Sequence, residues 1–475
     1  TRPFTRTWAS FAKDTVGFPS SFLIKGWERT TSGRGFNPCF MTHERAQMKK
    51  YSLKYGKSSL DFELPADQLL YEIKGREVEA ITDIEASYRK ALDHPIDSPP
   101  LKEIIAPNHR VAIVVSDITR AWQRNDFTLP LLLDYLNEAG LPDDQVTVVI
   151  GVGAHRPNTE SEFIELCSEE VCHRVRVVNH DAWDSNMTYL GKTSRGTEVA
   201  VNPIVAEADR LILTGGAIYH YMAGFGGGRK SVLPGAASLK TIQQNHLLGL
   251  TERIGGGSNP QCASGITNGN PLHEDMMEVA AFLKPDFLIN VVPNLNGDLA
   301  GIFTGNWVSA WMQACQMAEK LYGVRIEKKA DIVIATAGGH PKDINLYQSQ
   351  KTIDNATYAM KPGGVSIILA QCPLIQDPPE FFDWFEYKDL YSLEKAARAN
   401  FLISGWIAIK QLEYKEMGTI ILVTEPGNFD FARKAHVEPV SNMTDALALA
   451  YRRCGSAKPS ITIMPQGANT FPIIT

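Results

Sequence analysis

The chain has 475 residues, of which 44% are apolar and 21% charged, and a formal net charge of −6. That length exceeds one compact core and suits two domains. The mild acidity, with no basic stripe carrying interleaved aromatics, argues against a nucleic-acid partner.

Residues 1–47 show no sustained helix or strand period and read as a disordered or spurious extension. They also lack the compact apolar region and small-residue cleavage site of a secretory leader. No later stretch supplies the ~18 uninterrupted apolar residues of a membrane helix. The expected location is therefore cytoplasmic, with no membrane partner. The domain start is placed at MKKYSLKYGKSSLDFELP, where Tyr51, Leu53 and Tyr55 alternate as in a strand.

From there one unit repeats: a short apolar strand, a polar or glycine-containing turn, then a helical stretch. Strands are expected at 111–115, 146–152, 210–216, 286–292, 331–336, 365–370, 419–424 and 461–464. They are rich in Val and Ile and almost wholly apolar, the mark of strands buried on both faces. Helical stretches such as NDFTLPLLLDYLNEAG and SAWMQACQMAEKLYG separate most of them. The fold class is α/β, with two domains of mainly parallel sheets flanked by helices and the active site in the cleft between them. The first domain is expected over 48–318, completed by about 456–475, and the second over 325–455. The seven cysteines are scattered and contain no C-x-x-C pair, so they read as buried fillers rather than a disulfide or zinc framework.

Ligands of such sheets lie beyond the carboxyl ends of the strands. Four polar clusters fall there: SDITR (116–120), GAHRPNT (153–159), GGAIYHYMAGFGGGRKS (215–231) and GGHPKDINLYQSQK (338–351). In the third, Gly226, Gly227 and Gly228 precede Arg229 and Lys230. A nucleotide-binding P-loop needs glycine directly before its lysine, and Arg229 occupies that position. The loop is then either an anion cradle or a tight structural turn. His155 and His220 follow neighbouring strands. Two imidazoles with reference pKa values near 6.5 can take and give a proton at neutral pH, although each alone can equally be structural. Asp117 reads as a ribose acceptor or a helix N-cap, and Arg120 suits a carboxylate or phosphate. Gln348 and Lys351 are three residues apart and share a helix face.

At these residues the sequence resembles the nickel-dependent lactate racemase family, over roughly 48–475. The motifs that carry the resemblance are SDITR, GAHRPNT, IYHYMAGFGGGRKSVLPG with the downstream QQNH, and YQSQK. The resemblance implies a nickel-pincer nucleotide, a pyridinium-3,5-bisthiocarboxylate mononucleotide binding Ni(II), joined covalently to Lys230. It implies His246 as the protein ligand to the metal, and His155 and His220 as the acid/base pair. Asp117, Ile118, Thr119, Arg120 and Gly226–Gly228 would hold the cofactor. Arg120, Gln348, Lys351 and Trp406 would meet the substrate, a small 2-hydroxy acid, and cofactor-synthesis enzymes would be maturation partners. Lactate racemases similar to this chain carry histidine and then proline in the first motif, where this chain has Ile118 and Ala121. The substrate pocket therefore need not be the lactate one.

The implied reaction is racemisation or epimerisation by proton-coupled hydride transfer through a 2-keto acid. Two other readings are a zinc hydrolase built on His155, His220 and His246, and a non-catalytic nucleotide- or anion-binding relative. Against the zinc reading, the sequence offers no H-x-x-x-H pair.

Overall fold

The computed structural model describes residues 47–475, so the expected extension, but for Gln47, lies outside the described residues. Two six-stranded sheets form the frame. The first has the order 299–305, 287–293, 210–216, 111–116, 146–151, 176–179, and is parallel except for its first strand. The second has the order 438–440, 418–423, 360–369, 330–336, 461–464, 69–72, and is parallel throughout. All eight expected strands are present, four in each sheet.

The strands form where both faces can be buried. In Val111–Ser116, Ala112 and Val114 face one apolar cluster while Val111, Ile113 and Val115 face another. Ile332 and Ile334 in Ala330–Thr336 likewise face away from Val333 and Ala335. This is the period-two geometry of a strand covered on both sides. The largest cluster includes Val114 and Leu213 of the first sheet and Val333 and Ile368 of the second, so one continuous core joins them. Helices Asn125–Glu138 and Ser309–Tyr322 lie where the sequence placed them.

Sheet membership differs from the expected division at both ends. Strand Leu69–Glu72 pairs with Ile461–Met464, and both belong to the second sheet, not the first. Hairpin strands Met48–Tyr55 and Ser58–Pro65 also pack there. Their inward residues Leu53, Phe62 and Leu64 join Ile332, Ile334, Val365 and Ile367. Alternation reveals that the hairpin has an apolar face, but not which sheet that face will cover. Among the described residues, no helix is long and apolar enough to cross a membrane.

Candidate active site

At the carboxyl edge of the first sheet, Asp117 follows strand Val111–Ser116 and caps the next turn by accepting from the Thr119 N–H at 3.0 Å. Its other oxygen lies 2.5 Å from Nδ1 of His155, which follows the adjacent strand Val146–Gly151. A carboxylate can only accept, so the ring donates from Nδ1 and keeps a lone pair on Nε2. Burial pushes the Asp117 pKa up. The His155 hydrogen bond and charge, helped by Thr119 and Arg120, outweigh it and hold the net value below the ordinary carboxylate range. Asp117 is only 6% exposed, whereas the His155 side chain is 57% exposed. Arg120 bonds locally, to the Thr119 carbonyl and hydroxyl, and the apolar Ile118 side chain packs against the neighbouring core.

His220 follows strand Arg210–Gly216, which Val111–Ser116 separates from the strand before His155, so the two histidines are not on neighbouring strands as expected, and the polarity of His220 is the reverse. Its Nδ1 accepts from the backbone N–H groups of Met222 and Ala223, at 3.3 and 3.1 Å. The neutral ring therefore carries its proton on Nε2, which lies 3.3 Å from Lys230 Nζ. Burial, then the charges of Lys230, Lys351 and Arg120, push the His220 pKa well down. Burial, then Arg229 and Arg120, bring Lys230 down to about 7. An amine in that range is substantially uncharged, and nucleophilic, at neutral pH.

The glycine loop holds Lys230 in place by wrapping around Arg229. That guanidinium is fully buried and donates to the carbonyls of Ala223, Phe225 and Gly227. It also sits 4.3 Å from the Trp311 ring centre. Gly227 and Gly228 adopt φ of +71° and +56°, and a Cβ at Gly228 would lie 2.7 Å from Trp311. The Gly226 and Gly228 N–H groups go to protein acceptors, Ile218 O and Asn290 Oδ1. The segment is thus a tight turn that presents Lys230.

His246 sits on helix Leu239–Leu247, capped by Ser238. Its Nδ1 donates to the Ile242 carbonyl at 2.8 Å, leaving the Nε2 lone pair free. Burial and the Lys230 charge lower its pKa to about 3, so the imidazole is neutral. The second domain grips the segment that follows. Trp406 Nε1 donates to Gly249 O at 3.0 Å. Glu394, fully buried, accepts from the N–H groups of Gly255 and Gly257 at 2.8 and 2.9 Å, and Glu413 accepts from Ser258.

On helix Leu346–Ala359 of that domain, Gln348 Oε1 accepts from Lys351 Nζ at 3.3 Å. Burial, then Arg120 and Lys342, lower Lys351 to about 7. The Arg120 charge thus acts on Lys230, His220 and Lys351 alike. This gathers first- and second-domain cations around one space, a field suited to an anionic ligand.

Family models described as the lactate racemase N-terminal domain and the lactate racemase C-terminal domain match residues 55–255 and 326–471. A lactate racemase of Thermoanaerobacterium thermosaccharolyticum is 31% identical over 432 residues, covering 89% of this chain and 99% of that protein. The chain belongs to the lactate racemase family. Another relative, the lactate racemase of Lactiplantibacillus plantarum, is 32% identical over 397 residues, 81% of this chain and 89% of that one. The lactate racemase apoprotein structure from T. thermosaccharolyticum superposes with a TM-score of 0.81 at 31% identity, covering 90% of this chain and all of that one. A Thermotoga maritima protein shares the fold, with a TM-score of 0.63 at 17% identity over 84% of this chain and all of that one. As a lactate racemase family member, the chain is an isomerase.

Two features of this racemase-family site escape a reading of the sequence. One is the Asp117–His155 bond, whose only signal is that both residues end neighbouring strands. The other is Tyr221, whose ring stacks 5.3 Å from His220 and lies 5.2 Å from Trp406. It joins the histidine to the second domain, and its signal was adjacency to His220. His180 is structural, bonded to Ala237 O and Asn202, and His273 stacks on Trp311 at 5.1 Å.

Proposed function

We propose that the chain inverts the carbinol carbon of a small 2-hydroxy acid, with His155 and His220 as the acid/base pair. The observation that carries this reading is the opposite polarity of the two imidazoles. His155 has Nε2 free to accept a proton, and its buried carboxylate partner stabilises the imidazolium that results. His220 has Nε2 protonated and ready to give. An enzyme that works on both faces of one carbon needs such a pair. The relatives are named for lactate; Ile118 and Ala121 motivate leaving the substrate as the broader class of 2-hydroxy acids.

The residues fit a nickel-pincer nucleotide, a group whose presence is part of this proposal. Lys230 offers a buried amine with a substantial uncharged fraction at neutral pH for a thioamide link, and His246 a neutral imidazole with an oriented free Nε2. Among the described residues, no three His, Cys, Asp or Glu side chains converge as a metal cage, so the metal's other ligands would come with the group. When bound, the group supplies the hydride acceptor. The chain's own part is to hold the substrate carboxylate through Arg120 and Lys351, to orient its hydroxyl through Gln348, and to move the hydroxyl proton at Nε2 of His155 or His220.

His155→Ala and His220→Ala should each lose at least about 10²-fold in turnover with unchanged circular dichroism; near-full turnover in either overturns the two-base scheme. Independently of activity, intact-mass analysis after co-expression with cofactor-synthesis enzymes should place a covalent adduct on Lys230. An unmodified Lys230 under those conditions overturns the cofactor assignment.

A further inference from the structure

A cavity of about 240 Å³ lies at the carboxyl edge of the second sheet. Its polar lining is Ser52 and Lys54 from the hairpin, Lys342 from the turn after strand Ala330–Thr336, and Gln466 and Asn469 from the turn after strand Ile461–Met464. Leu295, from the first domain, and Pro465 close it with apolar surface. This is where parallel sheets place ligands, yet none of these residues belongs to the site described above.

The frame is rigid. Thr336 Oγ1 donates to the Lys54 carbonyl, and the His340 N–H to Gly56 O at 2.8 Å. The Gly56 N–H donates to the buried Asp343 carboxylate at 2.6 Å. Gly339 has φ +76°, and a Cβ there would stand 2.7 Å from Gly56 O, so the turn is pressed onto the hairpin. The lining contains no carboxylate. Asp343, next in sequence to Lys342, spends Oδ2 on the N–H groups of Gly56 and Gln371. Crowding by the surrounding protein and then the Lys54 charge lower the Lys342 pKa, and no acid offsets them, although both lysines keep part of their side chains open to solvent.

We propose that this cavity is a second anion site, which takes a small dianion such as a phosphate or a dicarboxylate between Lys54 and Lys342. Two ammonium groups sharing one recess repel each other when it is empty, and a dianion turns that repulsion into two attractions. The carboxamides of Gln466 and Asn469 supply directional donors for the anion's oxygens, and the apolar walls limit its size. The Lys342 charge also reaches Lys351.

The test is isothermal titration of the full chain with inorganic phosphate and, separately, with malate. The proteins are wild type, Lys54→Gln/Lys342→Gln, and Lys351→Gln. The expected result is saturable binding of at least one probe. It should weaken at least roughly tenfold in the double variant and change less than about twofold in Lys351→Gln. Which probe binds separates phosphate from dicarboxylate as the source of the anion. Should the double variant lose its fold by circular dichroism, Asn469→Ala carries the same comparison. Three results overturn the proposal: no saturation by either probe at millimolar concentration, undiminished binding in the cavity variants, or a loss that follows Lys351→Gln instead. The last would assign the anion to the substrate site and leave the proposed reaction standing.

Discussion

Asp117→Asn keeps the size of the side chain and removes its charge. In the native protein the carboxylate accepts from His155 Nδ1 at 2.5 Å and is 6% exposed. Hydrogen bonds to charged groups contribute about 1.5–3 kcal/mol, and each ~1.4 kcal/mol is a tenfold change in rate. The expected loss in kcat is therefore on the order of 10–100-fold. The 57% exposure of the His155 side chain argues for the lower end, because water screens the imidazolium. The assay is stereochemical inversion of a 2-hydroxy acid by cofactor-loaded protein, with Thr119→Val as a control that leaves the His155 bond in place. Thermal unfolding gives a second readout. Because the folded Asp117 pKa is lowered, its stabilisation is complete above the unfolded value near 3.9 and is lost as pH falls through the lowered folded value. The Tm gap between wild type and Asp117→Asn should be full at pH ~6 and shrink as pH drops below ~4. Wild-type kcat in the Asp117→Asn protein would refute the orienting role, whatever its stability.

Three further outcomes are expected. Lys230 has its folded pKa lowered to about 7, so below that pH the native state carries a disfavoured buried cation. Lys230→Met should then raise the Tm, most at acidic pH and less as pH rises towards the unfolded lysine value near 10.4; an equal shift at pH ~6 and pH ~9 contradicts the burial argument. Gly228→Ala places a methyl 2.7 Å from Trp311 at φ +56°. It should cost on the order of 2–4 kcal/mol from overpacking and left-handed strain, read by urea denaturation. Glu394→Ala strands Arg398 and the N–H groups of Gly255 and Gly257. The cost should be about 2–3 kcal/mol, less than the ~3–5 of a fully buried pair because the Arg398 side chain is 22% exposed. Hydrogen exchange over 251–258 should quicken in that variant.

The interior strands were legible because burial on both faces leaves an uninterrupted apolar run, as in VAIVV and DIVIAT. The edge strands were not. Leu69–Glu72 and Glu438–Val440 are short, half-buried and mixed in polarity, and Pro439 disguises the last. Strand Leu299–Gly305, with two glycines, escaped for a similar reason. At the site, the strand-end rule placed His155, His220 and the glycine loop near one edge. It could not supply the partners. Whether Asp117 served as a cap or a ligand was open from sequence; the structure has it capping Thr119 and bonding His155 at once. Arg229, read as a misplaced member of a phosphate loop, is the buried centre around which that loop folds. Such facts depend on which carbonyls converge in space, and no spacing pattern encodes that.

Strand Leu69–Glu72 borders the second sheet only through Ile461–Met464. During synthesis, the edge strand leaves the ribosome nearly four hundred residues before the neighbour that must receive it. That edge strand therefore has no seat until Ile461–Met464 has emerged, although the hairpin's Leu53, Phe62 and Leu64 can already cover Ile332, Ile334, Val365 and Ile367. Fragments ending before 461, or expressed without 48–72, would each lack an edge or its seat. A second domain cut out at 325–455 would lack the 461–464 strand as well as the edge strand that it seats.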